Sequence, residues 1–428
     1  MRKLIFFSIL ILIFGPMVFL AIAMEPAPAV STATSATGTD ATRAKSVLKK
    51  FWDVTESGTG KRPLEVSQQD MNSVLAFAAR AVPTLRGKAQ ITPDEVRVTS
   101  SVRVPGIPGG RWLNLHVGVA PSDRGLHLAS IRLGDYSLPA GTVLPVIRVV
   151  MDLVLGDGVG TIAVNSIDGV SIDAGKVTVG VALNRADRKA LTGRLKATAR
   201  SIANISSPED VRAYYLAIDA AVTDGRLKSK GSTVPYLRYA MELAGRKAQG
   251  SDAQAEVQSA LLALAIFCGH YKFERLIGDV VPENMRGKRT GCAGTTLGGR
   301  KDLRQHFVIS AGLQAASNEG AAFTIGEFKE LLDSAGKGSG FSFDDLAADR
   351  AGIRFATALL ETEAQGRQTL VGRLGSERSV FPSIAGLPAG LSQGEFERRF
   401  GTVDSTAYRD MLKTIERRID ALPFFADL

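Results

Sequence analysis

Apolar and polar positions change period several times along the chain, and each change marks an element. Residues 4–23 are apolar without a charge, follow Arg2 and Lys3, and end on Ala21-Ile22-Ala23. Residues 24–40 are mostly Ala, Pro, Ser and Thr, too poor in large apolar side chains to offset the entropy of ordering. Helical spacing returns at 44–53. Ser67 with Asp70 predicts a capping box at the head of a second helix, carried on by Met71, Val74, Leu75 and Ala78. After Pro83 the period drops to two. Val96, Val98 and 100–104 read as strand, and so do Leu113, Leu115, Val117 and Val119, with Asn114, His116 and Gly118 on the other face. A third strand covers 126–133. The apolar stretch 138–155, with Pro139 and Pro145, reads as a buried helix. Further strands are expected at 162–167, 170–173 and 177–183, separated by Asp168-Gly169 and Ala174-Gly175 turns.

From residue 207 the pattern is helical. Pro208 suits the first turn of a helix through 222, and 235–247 is another. Residues 254–267 are apolar on nearly all sides and belong in a core. A loop rich in Gly, Lys and Arg spans 269–299, and two amphipathic helices, 392–400 and 405–422, close the chain. The fold class expected is an α+β N-terminal domain, an antiparallel sheet with helices, followed by a mostly α-helical C-terminal domain. The divisions are 1–23 signal peptide or signal anchor, 24–42 flexible tether, 43–200 α+β domain and 207–428 helical domain.

The N-terminal layout is that of a secretory signal, with Ala21-Ile22-Ala23 as a cleavage site. Its length also suits an uncleaved span of ~20 residues. Either way Arg2 and Lys3 stay inside and the remainder is exported. The expected location is periplasmic, released from or anchored in the inner membrane. The net charge of +9 fits a solvated surface or contact with anionic lipid or envelope polymer. Nucleic acid is excluded by compartment and by the lack of a recognition motif. The two cysteines, Cys268 and Cys292, predict a disulfide in an oxidising compartment.

Candidate chemistry concentrates between residues 300 and 355. Asp302 and His306 are one helical turn apart, so the carboxylate would orient the imidazole. Ser310 continues that face. Glu327, Glu330 and Asp333 recur along the next helix, where Lys329 pairs with Asp333. Asp333 lies near a helix C-terminus, unfavourable for an anion without a partner. Asp345 and Asp349 share a face of a third helix, and Ser342 with Asp345 also reads as a capping box. The candidate catalytic set is His306, Glu330, Asp333, Asp345, Asp349 and Asp302. If a divalent metal serves as cofactor, its candidate ligands are His306, Glu330 and Asp333. Apolar residues around them (Phe307, Ile309, Phe323, Ile325, Phe328, Leu331, Leu346, Ile353 and Phe355) predict a packed three-helix unit.

Two resemblances follow from these residues. The ordered set Asp302…His306-Phe307, Lys329-Glu330-Leu331-Leu332-Asp333 and Gly340-Phe341-Ser342…Asp345-Leu346…Asp349…Gly352 resembles the YfiM-like periplasmic lipoprotein family over about 55 residues, with Leu303 in place of that family's Lys. The resemblance implies a location and a common helical unit, not a reaction. The order of elements around Met71-Asn72 resembles membrane-tethered domains of the YpmS kind, which implies a scaffold or a role in binding apolar ligands. Two functions stand open. One is an acid–base or metal-assisted enzyme acting on peptidoglycan or another envelope polymer. The other is a non-enzymatic envelope factor whose α+β domain binds lipid or a protein and whose polar cluster is structural.

Overall fold

The computed structural model describes residues 19–31, 36–56, 61–107, 111–141, 143–145, 148, 152, 158–202, 206–248, 252–317, 319–334 and 339–426. The chain divides into two compact units, Met1–Ala36 with Thr42–Thr198, and Thr37–Ala41 with Ala199–Leu428. Among the described residues no helix is long and apolar enough to cross a membrane. Most of the apolar run, residues 4–18, lies outside them.

The first unit has the expected α+β class. Its strands are β1 (Met24–Glu25), β2 (Lys61–Ser67), β3 (Leu85–Ile91), β4 (Val96–Val104), β5 (Arg111–Ala120), β6 (His127–Leu133), β7 (Tyr136–Leu138), β8 (Ile167–Asp173) and β9 (Lys176–Ala182). Strands β3 to β7 pair in chain order, and β1 adds to β5. A second sheet has the order β2-β9-β8. All these pairs are antiparallel. A small core of Val66, Val96, Val170 and Val177 forms from inward-facing strand residues.

Helices α1 (Gly38–Glu56), α2 (Gln68–Ala81), α3 (Val159–Asn165) and α4 (Arg185–Ile202) complete this part of the chain. The capping box of Ser67 and Asp70 is present. Helix α2 also seals the edge of β3. Asn72 Oδ1 accepts from Ala89 N at 2.8 Å, its Nδ2 donates to Ala89 O at 2.9 Å, and Gln68 Oε1 accepts from Ile91 N at 2.8 Å. Side-chain amides thereby satisfy backbone groups that an edge strand otherwise offers to other chains.

Two expectations change here. Part of the segment read as a tether is ordered. Met24 and Glu25 pair with Leu113 and Trp112, Ala29 N donates to Asn114 Oδ1, and Val30 N donates to Ser101 Oγ. Composition missed this because the partners are buried polar groups of the sheet rather than apolar surface. Asn114 accordingly lies buried under this segment. Residues 162–165, read as strand, belong to α3, because the Asp152 carboxylate accepts from Gly160 N and Thr161 N at its head. The expected helix at 138–155 falls largely outside the described residues.

The second unit is mostly helical: α5 (Pro208–Thr223), α6 (Val234–Lys247), α7 (Ala253–Leu264), α8 (Lys301–Ala316), α9 (Glu319–Ser334), α10 (Phe343–Glu361), α11 (Ala364–Gly372), α12 (Gln393–Phe400) and α13 (Thr406–Asp420). Helix α7 is buried along nearly its whole C-terminal half, as its uniform apolarity requires. Helices α8, α9 and α10 touch one another pairwise. Phe307, Leu346, Ile353 and Phe355 are buried among them, whereas Ile325 is exposed. The side chains of Phe323, Phe328 and Leu331 lie outside the described set. Phe341, Phe343, Phe396, Phe400 and Tyr408 form one aromatic cluster that seats the tail helices α12 and α13.

The predicted Cys268–Cys292 disulfide is formed, and both residues are buried. Its loop packs on the core through Arg304, whose Nη1 donates to Cys292 O and to Thr295 O. Closing a loop of this length is worth roughly 3.5 kcal/mol in the chain-entropy account. Reduction is therefore expected to lower the melting temperature, and a scan with and without a reductant measures it.

Candidate functional site

Helices α8, α9 and α10 build the site because each carries polar residues at helical spacing on an otherwise apolar face. Between them lies a cavity of about 530 Å³. Helix α8 contributes Gln305, His306, Ile309, Ser310 and Leu313 to its lining; α9 contributes Ile325, Gly326 and Lys329; α10 contributes Asp345 and Asp349. Arg300, Asp302, His270, Ser339, Ser342, Ala389 and Gly390 complete it. Its lining thus mixes apolar and titratable side chains.

His306 is the centre. Its Nδ1 lies 3.0 Å from Asp349 Oδ1, and that same oxygen accepts Ser310 Oγ at 2.6 Å. Ser310 and His306 therefore share an acceptor and do not form a nucleophile–base relay. His306 Nε2 stands 3.6 Å from Asp345 Oδ2. That is too long for a hydrogen bond and short enough for a charge interaction. Burial disfavours the imidazolium, but Asp349 and then Asp345 outweigh it and raise the pKa to about 9. Asp345 is itself raised, first by burial, with His306 and Lys329 pulling against that.

Glu330 sits behind the lining and is fully buried. Its Oε1 takes Lys329 Nζ at 3.1 Å, and its Oε2 takes Ser342 N at 3.0 Å. Burial dominates and, with Asp345 and Asp349 nearby, pushes its pKa up to about 7 despite Lys329. Asp349 Oδ2 is buried and takes no hydrogen bond among the described residues. It lies against Gly326, where a Cβ would come within 2.8 Å of it.

Of the six candidates, the structure brings His306, Asp345 and Asp349 together at the cavity, with Glu330 behind them. Two differ in role. Asp302 does not orient His306. Arg300 takes it with Nη2 at 2.6 Å and also bridges to Asp344 and Asp345, holding Asp302 below the usual carboxylate range. Sharing a helical face is not enough when a guanidinium two residues away competes. Asp333 pairs with Lys329 at 2.8 Å, so its partner at the helix end is that ammonium. Glu327, which recurs with Glu330 and Asp333 along the helix, is buried and accepts Tyr408 Oη at 2.6 Å. The Ser342–Asp345 cap is one-sided: Ser342 Oγ accepts Asp345 N, but Ser342 N donates to Glu330 instead. Sequence reasoning missed His270, Gln305, Gly326 and Gly390 as cavity residues, and no local pattern marks them.

The one group able to offer three metal ligands among the described residues is His306, Glu330 and Asp349, with ligand atoms within 4.8 Å of one another. Asp349 stands there in place of the expected Asp333. The fit to a divalent ion is poor, because Lys329 already neutralises Glu330, both Glu330 oxygens are engaged, and Asp349 Oδ1 holds His306. The arrangement suits proton transfer better.

The pKa directions carry a pH prediction. His306, raised from 6.5 to about 9, adds stability in full below 6.5 and loses it as pH rises through 9. Glu330, raised from 4.5 to about 7, binds its proton more tightly when folded, so its contribution is likewise lost as pH rises through 7. Each shift corresponds to something on the order of 3 kcal/mol. The melting temperature is expected to fall as pH goes from about 5 towards 9. His306→Ala and Glu330→Gln should each flatten that slope in a thermal-denaturation series.

Compared with known proteins, the chain matches no family model, no curated protein and no solved structure.

Proposed function

We propose that this chain is an exported cell-envelope protein whose helical unit is a general acid–base hydrolase acting on peptidoglycan or another envelope polymer. One observation carries the reading: His306, Asp345 and Asp349, although largely buried, line a cavity of about 530 Å³. That volume falls within the ~300–1,000 Å³ of small-molecule sites. The proton-transfer pair is His306 and Asp345. Asp349 fixes the imidazolium through Nδ1. Nε2–H, without a close acceptor, is left to protonate the leaving atom of the scissile bond. Asp345 accepts a proton from the attacking water, whose oxygen forms the new bond. The apolar wall of Ile309, Leu313 and Ile325 suits the carbon face of a sugar ring. Export is supported by the basic start, the charge-free run of residues 4–23 and the Cys268–Cys292 disulfide.

A specific observation favours the second reading, a non-enzymatic envelope factor. Glu330 and Glu327 are fully buried and hydrogen-bonded, as in a network that fixes helix packing. Incubation of the purified protein with peptidoglycan sacculi separates the two. Wild type is expected to release muropeptides and to keep doing so in EDTA. His306→Ala should lose ~10²–10⁴-fold in rate with its circular dichroism unchanged. No release by wild type, with His306→Ala acting only on melting temperature, would sink the hydrolase. Activity abolished by EDTA and restored by a divalent ion would move the site to the metal-assisted reading.

A further inference from the structure

The six-stranded sheet of the first unit carries an apolar patch that the described helices of this unit leave open. The pairings Leu115↔Leu133 and Leu133↔Tyr136 line three side chains across β5, β6 and β7 on one face. Two residues along, Val102↔Leu113 and Leu113↔Met24 continue that face. Helix α2 covers the β3 side, where Leu75 meets Gly87. Beyond it Val102, Leu115 and Tyr136 remain 39, 37 and 42% exposed. Leu20 and Ile22, in the helical turn that precedes β1, are 39 and 58% exposed, and the Phe19 ring meets Tyr136 edge-on at 5.5 Å. The opposite face differs. There the register Lys88↔Thr99↔His116↔Arg132 places exposed cations, joined by Arg97 and Arg103.

We infer that the apolar face rests in the interfacial layer of a phospholipid bilayer. Contiguous exposed apolar surface on a soluble unit marks an interaction site, and the course of the chain identifies the partner. The charge-free run of residues 4–23 ends on this patch. No slack separates the two: Ala23 O abuts Gly134 in the β6–β7 turn, and Met24 is already paired with Leu113. With that run in a bilayer, a sheet attached without a linker is held at the bilayer surface. Tyr136 has the amphipathic ring that favours this depth, and Arg111, exposed beside Met24, can reach head-group phosphates. The inference shares with the proposed function only the export read from the N-terminal run, and it takes that run as an uncleaved anchor; hydrolysis has no part in its readout.

The test uses the full chain reconstituted into vesicles of phosphatidylcholine and phosphatidylglycerol. A cysteine is introduced by Leu115→Cys in one variant and by Lys88→Cys in another. Both sites are exposed, and Cys268 and Cys292 are joined to each other, so an environment-sensitive thiol dye labels only the new position. The dye at position 115 is expected to shift to the blue and to be quenched by nitroxide on the lipid chains. The dye at position 88 should stay in water and be quenched by iodide. A dye at 115 that remains in water overturns the inference. So does one shielded from iodide yet untouched by lipid-borne nitroxide, since protein would then cover the patch. Lipid quenching at 88 instead of 115 would put the basic face on the membrane and overturn it as well.

Discussion

Asp349→Ala is expected to destabilise the helical unit by about 3–5 kcal/mol, the usual cost of removing one partner from a buried ion pair. Asp349 is 2% exposed, and its Oδ1 accepts both His306 Nδ1 and Ser310 Oγ. Truncation leaves an imidazolium buried without its main counter-charge and a hydroxyl without its acceptor. Asp349→Asn separates charge from shape. It keeps the volume and one hydrogen-bonding oxygen, so it should cost less stability. It also removes the strongest influence that raises His306, whose pKa then falls from about 9 towards its ordinary value. The imidazole becomes neutral near neutral pH, and hydrolysis that needs Nε2–H as an acid should decline above about pH 6–7 in the variant. Urea unfolding measures the first effect and a pH–rate profile the second. An Asp349→Asn profile that overlays wild type up to pH 9 would show that His306 is not the acid.

Gly352→Ala is expected to be nearly as damaging, for a different reason. Helices α8 and α10 approach so closely that a Cβ at 352 would collide with Phe307 O, a backbone atom that no rotamer change can move aside. The helices must separate, at a cost of about 3 kcal/mol or more, the upper end for overpacking. Phe307 adjoins His306 and Gly352 lies one turn beyond Asp349, so separation also lengthens the His306–Asp349 contact. Activity and melting temperature should fall together. Gly372→Ala is the control. It lies at the end of α11, where an added Cβ would meet nothing within 4 Å, and it should be neutral or stabilising by up to ~1 kcal/mol. Equal losses in both variants would locate the effect in helix propensity and not in the close approach.

Much of the framework was legible because it rests on local rules. The capping box at Ser67, the meander of β4 to β6, the uniformly apolar α7, the disulfide and the two closing helices follow from period, turn chemistry and cysteine count. Local rules erred where a distant polar partner decided the outcome. Asp152 turns residues 162–165 into helix, and Asn114 with Ser101 captures a segment whose composition reads as coil.

The candidate site divides the same way. The carboxylates and the histidine could be picked out from spacing, since residues one turn apart share a helix face. Their roles could not. Arg300, rather than His306, takes Asp302; Asp349, 43 residues further on, takes His306; Glu330 displaces Asp345 from the Ser342 N–H. By itself, then, the sequence determined which elements form and which side chains with chemistry fall on their inner faces, because periodicity is a property of neighbouring residues. Only the tertiary structure decided which of those groups meet, which are buried and therefore shifted in pKa, and which line a cavity. Those outcomes depend on where helices close on one another, as Gly352 lets α8 and α10 do, and pairing across such an interface leaves no mark on the local pattern.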